Sequence, residues 1–340
     1  MMSARTNRRG VALVAGAVAP LMLLAACGGG DEGGDDGGTK EISLAHSYTE
    51  AQPQHRCGAK VIADEIEKAD AGMTVKIFPA SQLGADADRI SSVVSGDIDV
   101  DIQGASALGA VYEPIATLDA AYGFDDAEHL ARYTESDASK ELLDAFAEET
   151  DIQTLGMWSA GMRHFTANKA IREPGDLKGL RVRFANSPQF LMNAKALGAD
   201  ATEVAYEELF LALQQGTVDA QENPIVNIDA ISLDEVQKFI SLSSHQANSN
   251  LVIVGKIWNE LSAEQKKVLQ GAVDKAVEQV PGCVEEDEQK TLAKWKDSGS
   301  LEVVDDVDVE AFRSQVDSYL RKNFNKEQLA VYEGIRGTAE

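Results

Sequence analysis

The stretch MTVKIFPASQLGADADRISSVVSGDIDVDIQGA, Met73 to Ala105, decides the fold. Val75 and Ile77 alternate with polar neighbours in MTVKIFP, the period-2 pattern of a half-buried strand. DADRISSVVSGD reads as a helix closed by Gly96, because glycine adopts the left-handed conformation that ends helices. IDVDIQGA is again a strand. Just upstream, KEISLAHSY is a strand and QPQHRCGAKVIADEIEKADAG a helix, with Ala59, Ile62, Ala63 and Ile66 on one stripe and Gly72 past its end. Strand, helix, strand, helix, strand predicts a parallel sheet of α/β class.

The pattern continues downstream. DDAEHLARYTESDASKELLDAFAEET is predicted mostly helical, DIQTLGMWS a strand and GMRHFTAN another. EPGDLKGL turns into GLRVRF, and SPQFLMNAKALGA is a helix stopped at Gly198. YEELFLALQQGTVDAQENP is a helix followed by a short strand. NIDAISLDEVQKFI and HQANSNLVIVGKIWNEL supply a helix and another strand. The segment from Leu261 to Gly299 is helical over most of its length. Ser262 caps it, and Pro281-Gly282 is expected to bend or interrupt it. That length suggests a helix shared by more than one domain.

The N-terminus points to export. Arg5, Arg8 and Arg9 precede the apolar run GVALVAGAVAPLMLLAA, of signal-peptide length. The run ends in Leu24-Ala25-Ala26-Cys27, which is similar to the lipobox of bacterial lipoproteins and implies lipidation of Cys27. Residues 1–26 are then a leader, and the route, general secretory or twin-arginine, stays open. Residues 27–39, rich in Gly and Asp, have no apolar side chain able to pack and read as a flexible tether.

Of 340 residues, 31 are Lys or Arg and 56 Asp or Glu; without the three leader arginines the balance is 28 to 56, a net charge of −28. So acidic a chain excludes nucleic acid as a partner, since that binding needs a basic surface. It also makes any cation inside a cleft conspicuous. Besides Cys27, only Cys57 and Cys283 remain. An even pair in an exported chain favours a disulfide joining an early helix to a late one; two buried thiols are the alternative. No phosphate loop, His-Glu-x-x-His or Gly-x-Ser-x-Gly motif occurs, and His46, His55, His129, His164 and His245 lack ligand spacing.

In GLRVRF, Arg181 and Arg183 stand two apart on a strand, and so on one face. Three blocks rank them: FPASQLGADADRISSVVSGDIDV, LGMWSAGMRHFTANKAIREPGDLKGLRVRF and LGADATEVAYEELFLALQQGTVDAQENP. In this order they resemble the extracytoplasmic solute receptors of TRAP transporters, the DctP-type family. The resemblance implies two α/β lobes around a ligand cleft with a long helix spanning both. Lobe I would hold residues 40–160 with about 249–288, lobe II residues 161–248 with about 289–340. A small organic acid would be captured and passed to TRAP permease subunits in the membrane, by a monomer needing no cofactor and no catalysis.

Residue by residue, the resemblance gives Arg183 the ligand carboxylate and leaves Arg181 merely basic. Arg163 matches a second arginine that reaches the ligand, Asn223 an amide on the carboxylate, and Tyr206 an aromatic cover. Trp158 is either pocket or core, and Gln103, His46 and Ser106 are expected in the pocket wall. Ala105 and Leu108 stand where sialic-acid receptors use other residues, which disfavours a ligand of that kind. Gln221-Glu222-Asn223 replaces the pair of a metal-binding subgroup, so no metal is expected. Arginine suits the role because its planar fork pairs bidentately with carboxylate. A receptor for an ABC importer or a sensor, or an enzyme on small acids in the same cleft, are the competing readings.

Overall fold

The computed structural model describes residues 39–339. Cys27, the leader and nearly all of the tether lie outside the described residues. Nine strands are described: β1 (Lys40–His46), β2 (Met73–Phe78), β3 (Val100–Gly104), β4 (Gln153–Ala167), β5 (Arg181–Phe184), β6 (Asp200–Glu203), β7 (Ala220–Pro224), β8 (Phe239–Val254) and β9 (Glu302–Val304). They form one sheet in the order β2-β1-β3-β8-β4-β7-β5-β6, with β9 beside β8.

The strand–helix alternation read in residues 40–105 yields parallel pairs, β1 with β2 and with β3. The same holds at the other end, where β5 pairs in parallel with β6 and β7. The centre departs from the parallel expectation. β8 runs antiparallel to β3 and β4, and β4 antiparallel to β7. The two segments DIQTLGMWS and GMRHFTAN, expected as separate strands, form the single 15-residue strand β4. Register shifts at Thr154/Gly156, Ser159/Met162 and Arg163/Phe165 mark its irregularities. Bulges of this kind bend a strand without ending it. β4 and the 16-residue β8 thus carry the sheet through the middle of the molecule.

Alternation along the strands sorts side chains onto opposite faces. On β8, Val252 and Val254 join Ile42, Leu44, Ile102 and Trp158 under the helix Lys60–Ala69, while Leu251 and Ile253 join Val93, Phe124 and Phe146 on the other face. The β5–β7 end repeats the arrangement. Phe165, Val182, Phe184 and Phe312 fill one face, and Leu209, Leu213, Ile240 and Trp295 the other.

The helix Ala263–Ser298 crosses between these regions. Its Leu269, Val273 and Val280 belong to the first core and its Trp295 to the second. Ser262 caps it through a reciprocal box with Gln265. The expected break at Pro281 does not occur; the helix is continuous through it. Proline removes one ladder hydrogen bond, to Val277, and the packing of Val273, Val280 and Val284 holds the turns on either side. Two residues on, the Sγ of Cys283 lies 2.04 Å from that of Cys57. Cys57 sits in a π-helical turn, Gln54–Ala59, that runs directly into the helix Lys60–Ala69. No helix among the described residues is long and apolar enough to cross a membrane.

Candidate functional site

A cavity of about 480 Å3 lies between the two regions. Its walls come from the ends of β1, β3, β5, β6 and β7, the middles of β4 and β8, and the segment Val204–Glu208 after β6. Ends of parallel strands are where α/β sheets place ligands.

Arg183 and Arg163 both line it, and they differ in what answers their charge. Arg183 is buried on β5, and its Nε donates to the carbonyl of Val204 at 2.8 Å. No other protein hydrogen bond and no ion pair reaches its guanidinium among the described residues. Burial pulls it down to about 10, Glu222 opposing and Arg163 adding to the fall. It stays charged at neutral pH. Arg181, two residues earlier, is exposed at the strand's start and pairs with Asp219, Nη2 to Oδ1 at 2.7 Å. The shared strand face is split by position: Arg181 stands at the exposed start of β5 and lines no part of the cavity, while Arg183, two residues nearer the strand's end, does.

Arg163 is charge-paired, with one of its two Nη1 hydrogens uncommitted. Its Nε and Nη2 clamp the Glu222 carboxylate, the Nη2–Oε1 distance being 2.7 Å, and its Nη1 donates to Asn248 Oδ1 at 2.6 Å. Its guanidinium stacks over Phe190, 4.9 Å from the ring centroid. β4 and β7 pair in a register that sets His164 opposite Asn223 and Phe165 opposite Glu222. Burial opposes ionisation of Glu222, yet Arg163 and the hydrogen bond from His245 outweigh it and hold its carboxyl below the usual range. Burial keeps His245 low in turn. A neutral His245 then donates from Nε2 to Glu222 at 3.2 Å and accepts from Ser243 Oγ at Nδ1, 2.8 Å.

Asn223 accepts from Arg163 Nη2 at 3.2 Å and donates to Gln221 Oε1 at 2.6 Å, leaving one amide hydrogen uncommitted. Tyr206 covers the cavity and donates to the Asn227 carbonyl at 3.2 Å. Ser106 donates from N and Oγ to Asp119 Oδ2, at 2.8 and 2.7 Å. Gln103 donates to Asp101 Oδ2 at 3.1 Å and accepts from the Gly104 amide. These six residues meet at one cavity.

Trp158 and His46 do not line it. Trp158 packs in the core against Gly58 and Val280. His46 is fully buried; its Nδ1 accepts from the Tyr48 amide and its Nε2 lies 3.2 Å from His55. Burial holds His46 at about pKa 3, so it carries no charge. Ala105 and Leu108, from which a ligand class was disfavoured, are fully buried in the core, so their identity bears on packing rather than on the ligand.

The wall also holds residues that no motif flagged. Tyr48 donates to Asn250 Oδ1 at 2.8 Å, and Asn248 leaves its Nδ2 without a protein partner among the described residues. Asp86 opposes them. Its Oδ1 accepts from Ser47 Oγ and from Arg89 Nη2, both at 2.9 Å, which leaves Oδ2 open. Arg89 in turn bonds Asp101, Nε to Oδ1 at 3.1 Å. Burial nevertheless pushes Asp101 up to about 7. No motif in the sequence marks this wall; Asp86 stands in LGADADR and Asn248 and Asn250 in HQANSN without a pattern of their own.

The chain matches the family described as bacterial extracellular solute-binding protein, family 7 (DctP), over residues 44–327. It is 31% identical over 243 residues to the sialic acid-binding periplasmic protein SiaP of Vibrio cholerae, covering 71% of this chain and 76% of that one. It is 30% identical over 291 residues to the 2,3-diketo-L-gulonate-binding periplasmic protein YiaO of Escherichia coli, 85% and 88% covered. A TRAP periplasmic solute-binding protein from Polaromonas, solved with bound D-erythronate, superposes with a TM-score of 0.82 at 29% identity, 87% of this chain and 98% of that one being covered. With the two-ended sheet, the long shared helix and the arginine-bearing cavity, these matches make the chain a member of the DctP family of extracellular solute-binding proteins.

Proposed function

We propose that this protein captures a small hydroxylated monocarboxylate in the cleft and hands it to a TRAP-type permease. One observation carries the reading: Arg183 is a buried cation with one carbonyl for company. A buried charge without a partner is costly, and an arginine fork is complementary to a carboxylate. Arg183 takes the carboxylate, the spare amide hydrogen of Asn223 donates beside it, and Tyr206 closes over it. Arg163, neutralised by Glu222, contributes position and a spare Nη1 hydrogen more than free charge. The rest of the cavity supports a neutral, hydroxyl-bearing tail. It offers the Asn248 amide and the open oxygen of Asp86 and, among the described residues, no second unpaired cation for a second carboxylate. The relatives named for D-erythronate, 2,3-diketo-L-gulonate and sialic acid all bind hydroxylated acids.

Cys27 supplies a lipid anchor and residues 28–39 a leash, so that the receptor works at the outer face of the membrane beside its permease. A thermal-shift screen tests the ligand class, since a ligand that binds only the folded state raises the melting temperature. D-erythronate and L-galactonate are expected to raise it and succinate to do so less. A preference for succinate would remove the hydroxylated-tail assignment, and silence from every organic acid would remove the carboxylate assignment.

A further inference from the structure

The two ends of the sheet order, β2 and β6, are the strands farthest apart in pairing. A bond between a residue just past β2 and one just past β6 would join these two ends beside the cavity, whose wall includes Glu207. One exists: Ser81 Oγ donates to Glu207 Oε1 at 2.6 Å. Glu207 is exposed and precedes the helix Leu209–Gln214; Ser81 follows β2. The Ser81 hydroxyl also faces Arg89 Nη1 at 3.4 Å. It thus sits between a guanidinium and a carboxylate, an order in which each hydrogen bond polarises the next.

The segment that presents Ser81 is held in an uncommon conformation. Ala80 and Ser81 have φ of 51° and 55°, the left-handed region that non-glycine residues seldom occupy. Such a conformation persists where surrounding bonds over-determine it. Here the Ala80 amide donates to the Tyr48 carbonyl at 2.8 Å and the Ser81 amide to the His46 carbonyl at 3.1 Å. A second bond crosses between the same regions, Gln52 Nε2 to Asn227 Oδ1 at 3.0 Å, and it is buried.

We infer that Ser81 and Glu207 form a clasp that holds the cleft shut through protein–protein bonding, additional to whatever a ligand contributes. Arg89 polarises it from the Asp86 side, which links the cavity wall to the mouth. The clasp depends on the proposed ligand site only for its kinetic consequence; its effect on the protein alone does not.

Small-angle X-ray scattering of ligand-free protein tests it directly. Glu207→Ala and Ser81→Ala should each shift the radius of gyration upward, and the double variant no further than either single one. Glu207→Gln, which keeps a carbonyl acceptor, should shift it less. Unchanged scattering in both single variants, or fully additive shifts, would overturn the clasp. Stopped-flow dissociation of D-erythronate supplies the second arm, with an expected rise of about fivefold to tenfold in koff for Glu207→Ala and little change in kon. If wild-type protein does not bind D-erythronate, that failure falls on the ligand assignment, and scattering alone decides the clasp.

Discussion

Arg163 and Arg183 line one cavity, yet Arg163 is clamped by the carboxylate of Glu222 while Arg183 touches only the carbonyl of Val204. Removing one or the other should therefore have opposite effects on stability. Arg183→Ala relieves an uncompensated buried cation and is expected to keep or raise the melting temperature while abolishing acid binding. Arg183→Lys should also bind poorly, because a point charge does not reproduce the fork. Calorimetry with D-erythronate and a thermal melt on each variant check this; unchanged affinity in Arg183→Ala sinks the assignment.

Arg163→Ala strands Glu222 as an unpaired buried charge. A loss of about 3–5 kcal/mol in unfolding free energy is expected, measured by urea denaturation. Arg163→Ala with Glu222→Gln should recover part of that loss. If the double variant is no better than the single one, the pair is not what the position requires.

Glu288 gives a pH dependence with a definite sign. Burial, with Glu285 adding to it, pushes Glu288 up to about 8. Its Oε1 has no hydrogen-bond partner. The folded state thus binds a proton that the unfolded state releases near the ordinary value of 4.5. Stability should fall as pH rises from about 4.5 to about 8, by at most about 1.4 kcal/mol per pH unit from this group, and level off above. Glu288→Gln should flatten that decline. An unchanged slope in the variant's denaturation series would show that Glu288 is not its source.

Cys57 and Cys283 are 226 residues apart in sequence. Joining them closes a long loop, and replacing both by serine should cost about 2–4 kcal/mol. A thiol assay on unfolded, unreduced protein should find neither cysteine reactive. Two reactive thiols would rule out the bond.

The strand–helix alternation was legible from local signals, the alternating Val75 and Ile77 of β2 and the left-handed Gly96 that closes the helix Asp86–Ser95, although the helix Lys60–Ala69 closes on a left-handed Asp70 and β3 is buried on both faces. The antiparallel centre was not. It arises from the pairing of β4 with β8, residues far apart in sequence, from Gln153 with Val254 to Ala167 with Phe239, and no local pattern records that partnership. The site divides in the same way. Arg183, Arg163, Asn223 and Tyr206 stand in blocks long enough to resemble a family. Asn248, Asn250 and Tyr48 are single polar residues brought to the wall only by strand register. Glu222 stood in view between Gln221 and Asn223, but its task as the partner of Arg163 appears only when β4 and β7 are laid side by side. Trp158 shows the reverse: an aromatic within a matching block can still belong to the core.

β4 and β8 run unbroken from one region into the other, and that makes the joint between them a leaf spring rather than a swivel. If the cleft opens as the proposed capture requires, it would flex these two paired ribbons, and the register shift between Ser159 and Met162 is the place on β4 where the ladder is least regular. Gly161 sits there with φ of 100°, and a Cβ on it would collide with Glu288 Oε1. The stiffness of that short segment, none of whose residues lines the cavity, then bears on how much of the binding energy is spent on bending the protein. Affinity could be tuned by residues at the bulge without altering a single contact in the cavity.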